Sequence, residues 1–319
     1  MSTSNHVIEG LLRGDHRVIA RAISSVENET PNSTMILRAL FSHTGRAYRV
    51  GVTGPPGAGK STLTNKLAKY YRRKRLKIGV IAVDPTSPFT GGALLGDRVR
   101  MTDVELDDSV FIRSMASRGS QGGLSKKARE AADVLDAAGF DIILMETVGV
   151  GQSELDIAGA ADTTIVVLVP ESGDGIQAMK AGLMEIADFF VLNKSDRPGA
   201  DQAIASLQSI LMMKEHDENS WLPKIIKTIA SENKGITEIA DEIQNHHNYL
   251  NEHSLFIEKR EKRTKIRIKE IVENKIREDL WSESGEKSLN LSLEKVVLGD
   301  LSPYNIAEEI IENFIKQKK

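Results

Sequence analysis

Apolar positions along this chain follow two periods. From Val7 to Glu27 they recur at helical spacing (Val18, Ile19, Ala22, Ile23, Val26), and Asn28-Glu29-Thr30-Pro31 breaks that pattern. The middle of the chain then alternates short β-branched runs with helical stretches. The runs are Tyr48–Thr53, Ile78–Val83, Val110–Ser114, Ile142–Met145, Thr163–Val169, Phe189–Leu192 and Ile225–Ile229. Several are apolar on consecutive residues, as strands buried on both faces should be. Strands separated by helices imply crossover connections, so the expected class is α/β with a mostly parallel central sheet flanked by helices. From about Ile236 the strand signal stops. Leu255–Trp281 reads as a long charged helix whose apolar side is Ile266, Ile268, Ile271, Val272, Ile276 and Leu280. A Ser/Gly/Glu loop over Ser282–Lys287 and a last helix over Pro303–Lys319 are expected to follow. A helix polar on one side and apolar on the other needs something to bury its stripe, either its own domain or a second subunit.

Composition narrows the chemistry more than the fold. The 319 residues are 40% hydrophobic and 27% charged, an ordinary globular mix. The absence of cysteine excludes disulfides, thiolate metal sites and cysteine nucleophiles. A formal net charge of −3 gives no bulk attraction to nucleic acid. The start, Met1-Ser-Thr-Ser-Asn-His6, has no basic segment followed by an apolar run, and no apolar run reaches membrane-spanning length. The expectation is a cytoplasmic protein with neither membrane nor nucleic-acid partner.

The carboxyl ends of parallel strands are where such folds bind ligands, and the distinctive motifs fall there. Gly54-Pro55-Pro56-Gly57-Ala58-Gly59-Lys60-Ser61 follows the first strand and opens a helix predicted from Thr62 to Tyr71. Its glycines let backbone N–H groups converge on a phosphate, and the helix N-terminus adds partial positive charge. Lys60 is expected to bridge the β- and γ-phosphates and the Ser61 hydroxyl to ligate Mg²⁺. Asn193-Lys194-Ser195-Asp196 ends a later strand and selects the base. The Asp196 carboxylate can accept from N1–H and the 2-amino group of guanine, whereas adenine offers neither donor. The Lys194 stem can lie across the base, and Asn193 can tie this loop to the phosphate loop. Thr228-Ile229-Ala230, after the last strand, is placed to offer N–H groups to the guanine O6. The expected ligands are therefore GTP and GDP with Mg²⁺, and the expected reaction is hydrolysis of GTP to GDP and phosphate.

Acidic candidates for the metal and γ-phosphate are Asp84, Asp97 and Glu146. Glu146-Thr147-Val148-Gly149 occupies the slot where most GTPases have Asp-x-x-Gly. Its carboxylate would reach Mg²⁺ through water, and the Gly149 N–H would contact the γ-phosphate. Asp84, before Pro85, and Asp97, after Gly96, also suit turns.

Gly51–Thr62, Val83-Asp84-Pro85-Thr86-Ser87-Pro88, Gly91–Arg98 and Glu146–Glu154 together resemble the methylmalonyl-CoA mutase-associated GTPases. These are bacterial MeaB/ArgK-type proteins and the human methylmalonic aciduria type A protein. The similarity runs over nearly the whole chain. It implies a homodimer that chaperones an adenosylcobalamin-dependent acyl-CoA mutase, using GTP to gate cofactor loading and to protect the mutase from inactivation. It supports Asp84, Asp97 and Glu146 as the metal and γ-phosphate carboxylates, and it aligns Glu171–Lys180 with the family's third switch loop. Lys180 or Gln177 of that loop is expected to reach the phosphates when a mutase binds. The loop Ala230–Gly235 is looser than the family's usual final guanine loop. The implied organisation is an N-terminal helical extension over residues 1–45, a P-loop GTPase domain over 46–240 and a C-terminal helical dimerisation arm over 241–319.

Lesser signals have plainer explanations. His246, His247 and His253 raise a metallochaperone alternative, which the lack of cysteine and of a His-rich tract disfavours. A phosphoryl-transferring kinase shares the phosphate loop but needs an acceptor site. The basic run Tyr70–Arg75 suits a solvated helix C-terminus. Trp221 and Trp281 read as core or interface anchors.

Overall fold

The computed structural model describes residues 2–85, 107–117, 123–147, 153–172, 181–213, 217 and 220–317. The chain divides into two compact units, residues 1–257 and 258–319. At the centre of the first is a seven-stranded parallel sheet. Its strands are β1 (Tyr48–Thr53), β2 (Ile78–Pro85), β3 (Val110–Ser117), β4 (Ile142–Thr147), β5 (Thr163–Leu168), β6 (Phe189–Leu192) and β7 (Ile225–Lys227), in the order β3-β2-β4-β1-β5-β6-β7. All seven expected strands are present. β2, β3 and β4 run past their apolar segments because ladder pairing with neighbours continues, as far as Pro85↔Ser117 and Val83↔Thr147. β7 ends at Lys227, and the chain beyond it turns so that Ile229 bridges Lys234.

Alternating strand residues feed opposite faces, which explains the consecutive apolar runs. Val50 and Val52 of β1, Leu144 of β4, and Ile165 and Val167 of β5 pack with α4 (Lys60–Arg73), α9 (Ile236–Glu252) and Phe189 and Val191 of β6. On the other face, Ile81, Val83, Ile143 and Met145 join α1 (Ser2–Leu12), α2 (His16–Glu27), α3 (Ser33–Leu40) and α5 (Gly123–Ala137). Val166, Leu168, Phe190 and Leu192 pack with α7 (Ala181–Ile186) and α8 (Ala200–Met212), while α6 (Ser153–Ala158) sends Ile157 to the α5 side.

The entry to β1 is held by buried charge. Asp136 of α5 accepts from the N–H groups of Gly45, Arg46 and Ala47 at 2.8–3.0 Å. Arg49 donates to Asp133 at 2.8 Å and to Asp136 at 3.2 Å, with all three side chains at most 9% exposed.

The single amphipathic stretch expected over residues 7–27 is two helices. Gly14, at φ +76°, turns the chain, and Asp15 caps α2 by accepting from Arg17 N and Val18 N. Ile19, Ile23 and Val26 then form its buried side, each contributing about 1.5–3 kcal/mol.

In the second unit, the rest of α10 (Leu255–Leu280) is joined by α11 (Glu283–Val297) and α12 (Pro303–Gln317). The expected loop over Ser282–Lys287 is thus corrected: helix begins again at Glu283. Gly285 is there for space, since a Cβ would stand 1.8 Å from the Leu280 carbonyl oxygen. Ile306 and Ile310 of α12 are buried, whereas Ile266, Ile268, Ile271, Val272 and Ile276 of α10 are about half-exposed. Among the described residues no helix is long and apolar enough to cross a membrane.

Candidate nucleotide site

β1 stops at Thr53 and the chain turns through Gly54–Gly59 into α4 at Lys60. Two glycines are imposed by their surroundings. Gly54 has φ +134° and a Cβ there would lie 2.1 Å from the Val167 oxygen. Gly59 has φ +90° and a Cβ would lie 2.3 Å from Asn193 Nδ2. Lys60 is buried and curls over its own loop, its Nζ donating to Gly54 O at 2.8 Å and Pro55 O at 2.9 Å. Its ammonium is thereby held at the mouth of the phosphate loop by the loop's own carbonyls.

Glu146 reaches the same mouth from the neighbouring strand. It is the fifth residue of β4, paired with Val52 on one side and Ala82 on the other. Ser61, the second residue of α4, donates its hydroxyl to Glu146 Oε1 at 2.6 Å. Behind this pair, Thr53 and Thr147 share a hydrogen bond of 2.9 Å. Asp84 lies in β2 at backbone level, paired with Ala116. Its side chain, together with Asp97, Gly149, Gln152, Gln177 and Lys180, lies outside the described residues.

The Asn193–Asp196 loop meets the phosphate loop directly. Buried Asn193 donates from Nδ2 to Ala58 O at 2.8 Å and accepts at Oδ1 from Ala230 N at 3.1 Å. Lys194, in left-handed conformation at φ +55°, donates to Gly57 O at 2.8 Å, which lays its stem along the loop. Asp196 is exposed. The next residue, Arg197, pairs with Glu171 just beyond β5 and holds that carboxyl below its usual range. Lys234 is held above its usual range by Glu232 first and more weakly by Asp196. The sequence named Glu171 and the Ala230–Gly235 loop but not the Arg197–Glu171 and Lys234–Asp196 interactions, because nothing local marks a contact across such separations.

The Thr228–Ala230 segment sits beside this loop, but its amides face inward. Thr228 N donates to Leu192 O, Ile229 N to Lys234 O and Ala230 N to Asn193 Oδ1. A guanine O6 bonded by one of them requires that bond to open. Pro55, Pro56 and Thr62 stand where expected, in the phosphate loop and the first turn of α4.

The histidines do not converge. His246 is buried, sharing 2.7 Å with Thr163 Oγ1 at Nδ1 and lying 3.3 Å from Asp188 at Nε2. His247 packs on Tyr48 and Phe256, and His253 packs on Tyr249. Among the described residues no three His, Cys, Asp or Glu side chains gather to hold a metal. In the basic run, Arg72 pairs with Asp107 and Lys74 lies over the Tyr70 ring. Trp221 donates to Asp188 O, and Trp281 is partly exposed.

A parallel sheet whose first strand feeds a Gly-rich phosphate loop, with an Asn-Lys-x-Asp loop locked onto it, defines a P-loop GTPase. Comparison with known proteins agrees. Residues 19–285 match the family described as methylmalonyl Co-A mutase-associated GTPase MeaB, and this chain belongs to that family. It is 47% identical over 313 residues to a Pyrococcus abyssi protein named as a GTPase, covering 98% of this chain and 97% of the relative. It is 32% identical over 323 residues to the mouse methylmalonic aciduria type A homolog, mitochondrial, covering 96% and 78%. A crystal structure titled LAO/AO transport system kinase superposes with a TM-score of 0.74 at 30% identity, covering 99% of this chain and 98% of that one.

Proposed function

We propose that this GTPase works with Mg²⁺ and is the chaperone of an adenosylcobalamin-dependent acyl-CoA mutase, gating cofactor loading and protecting the mutase from inactivation. The observation that carries the metal reading is the Ser61–Glu146 contact of 2.6 Å. A hydroxyl and a carboxylate oxygen brought together beside a phosphate loop fit a hard divalent cation. Ser61 with Glu146, Asp84 and Asp97 would hold it, directly or through water. When bound, Mg²⁺ supplies charge neutralisation at the β- and γ-phosphate oxygens.

The remaining roles belong to the chain. The amides of Gly54–Ser61 and the N-terminus of α4 bind the phosphates, and Lys60 adds its charge there. The Gly149 amide contacts the γ-phosphate. Asp196 accepts from the guanine edge, Lys194 covers the base, and Asn193 keeps the two loops in register. Thr228–Ala230 border the O6 position. On binding, the mutase brings Lys180 to the phosphates; one added cation near the transferring group is worth roughly a hundredfold in rate. The mutase reading is supported by the family's description and by the mouse relative's name. The same reading makes the C-terminal helices a homodimerisation arm. Its expected start at 241 falls inside α9, which packs on the sheet, so the arm is confined to residues 258–319, and we take the protein to be cytoplasmic.

GTP turnover with and without the cognate mutase tests it. Slow basal hydrolysis, releasing phosphate with no added acceptor, should accelerate with wild type. Lys180→Ala should keep basal activity and lose the acceleration. Equal stimulation of both proteins rejects Lys180. A mutase that neither stimulates nor co-purifies with either nucleotide state rejects the chaperone reading, and phosphate transferred only to an acceptor points to a kinase.

A further inference from the structure

The helical layer of α1–α3 turns most of its acids to structural work and leaves its arginines outside. Asp15 is spent on the cap of α2. Glu27, only 8% exposed, pairs with Arg113 of β3 at 2.5 Å. Glu29 pairs with Lys126 and Lys127 of α5. By contrast, the side chains of Arg17, Arg21, Arg38 and Arg46 are exposed and make no hydrogen bond or ion pair among the described residues. On α2, Ile19, Ala22, Ile23 and Val26 face inward, so helical spacing puts Arg17 and Arg21, four apart, at the middle of the outer side. On α3, Arg38 lies opposite Ile36 and Leu40, which are buried. Three large apolar side chains are exposed in this layer or at its end, Leu12 and Met35 at 44% each and Phe41 at 64%.

We propose that this outer face docks an acidic surface of a folded protein, which on the functional reading above is the acyl-CoA mutase. Charge sign selects the occupant: an arginine-rich face on a chain of net charge −3 matches carboxylates, which guanidinium forks bind in bidentate fashion. Arginine with interspersed Phe and Met is the composition of a protein interface core. A membrane-lying helix would instead need a continuous apolar face, and here the apolar side of α2 is already buried. The layer also has a route to the sheet. Glu27 pairs with Arg113 of β3, and Glu29 pairs at the surface with Lys126 and Lys127 at the start of α5, so the layer is joined to the edge of the nucleotide domain.

The proposal rests on the mutase reading, and the test separates the two. Binding of purified mutase is measured for wild type and for Arg17→Glu/Arg21→Glu/Arg38→Glu, at low and high salt. Basal GTP turnover and melting temperature serve as fold controls, since none of the three touches the nucleotide site. The expected result is salt-sensitive wild-type binding and a loss of roughly 30-fold or more in the triple variant, with controls unchanged. The triple Arg→Lys variant should fall between the two. Wild type and triple variant binding the mutase equally would overturn the docking face alone. A wild type that fails to bind mutase overturns the chaperone reading, and the proposed docking with it. Binding to anionic lipid vesicles as tight as to mutase would assign the face to a membrane and reject the protein partner.

Discussion

In residues 1–257 the apolar side chains of β5, Ile165 to Leu168, are fully buried, while in residues 258–319 those of α10, from Ile266 to Ile276, are about half in water. The first unit also encloses an ion network beside its surface pairs such as Arg197–Glu171. Arg49 with Asp133 and Asp136 is enclosed, whereas Lys275–Asp279 and Lys316–Glu312 are surface pairs one helical turn apart. Buried pairs are costly to break, and surface pairs contribute little. The first unit therefore holds itself together and carries its own nucleotide site. The second presents an apolar stripe that gains stability only when something covers it.

Removing one member of the buried network should have the largest effect. Asp136→Ala strands three amides and weakens the hold on Arg49, and should cost about 3 kcal/mol or more in denaturant unfolding. A loss below about 1 kcal/mol would mean that buried charge does not distinguish the two units. Next comes Lys60→Ala, which should lower GTP turnover by about 10²–10³ with the fold intact by circular dichroism. A variant hydrolysing GTP at the normal rate would remove the phosphate loop from the self-contained site.

Base selection is the next step down. Asp196→Asn should weaken GTP binding by roughly 10- to 100-fold and improve xanthosine triphosphate binding, because the 2-oxo group offers an acceptor to the new amide. Unchanged preference by competition titration would disconnect Asp196 from the base. The smallest effect on chemistry belongs to the second unit. Ile271→Glu with Ile276→Glu should give monomers by light scattering while GTP affinity stays at the wild-type level. A wild type already monomeric at micromolar concentration would end the proposal that the stripe is a dimer face.

The seven strands, the phosphate loop and the Asn193–Asp196 loop were legible in the residue order, since hydrophobic period and short motifs report local geometry. Breaks inside a periodic pattern were not. The turn at Gly14 and Asp15 hid within an unbroken amphipathic stretch, and Ser282–Lys287 looked like a loop by composition although Gly285 serves a helix packed against Leu280 O.

What the sequence determined by itself is the fold class, the GTPase chemistry and a set of candidate residues for it. Only the tertiary structure decided which of them meet. Ser61 and Glu146 are 85 positions apart, and they touch because the sheet places β4 beside β1. Arg197 finds Glu171 because β5 and β6 are neighbours with adjacent carboxyl ends. His246 and His247, adjacent on α9, part company because successive helical positions point about 100° apart. Local periodicity carries no information about strand order, and strand order brings distant side chains into one site.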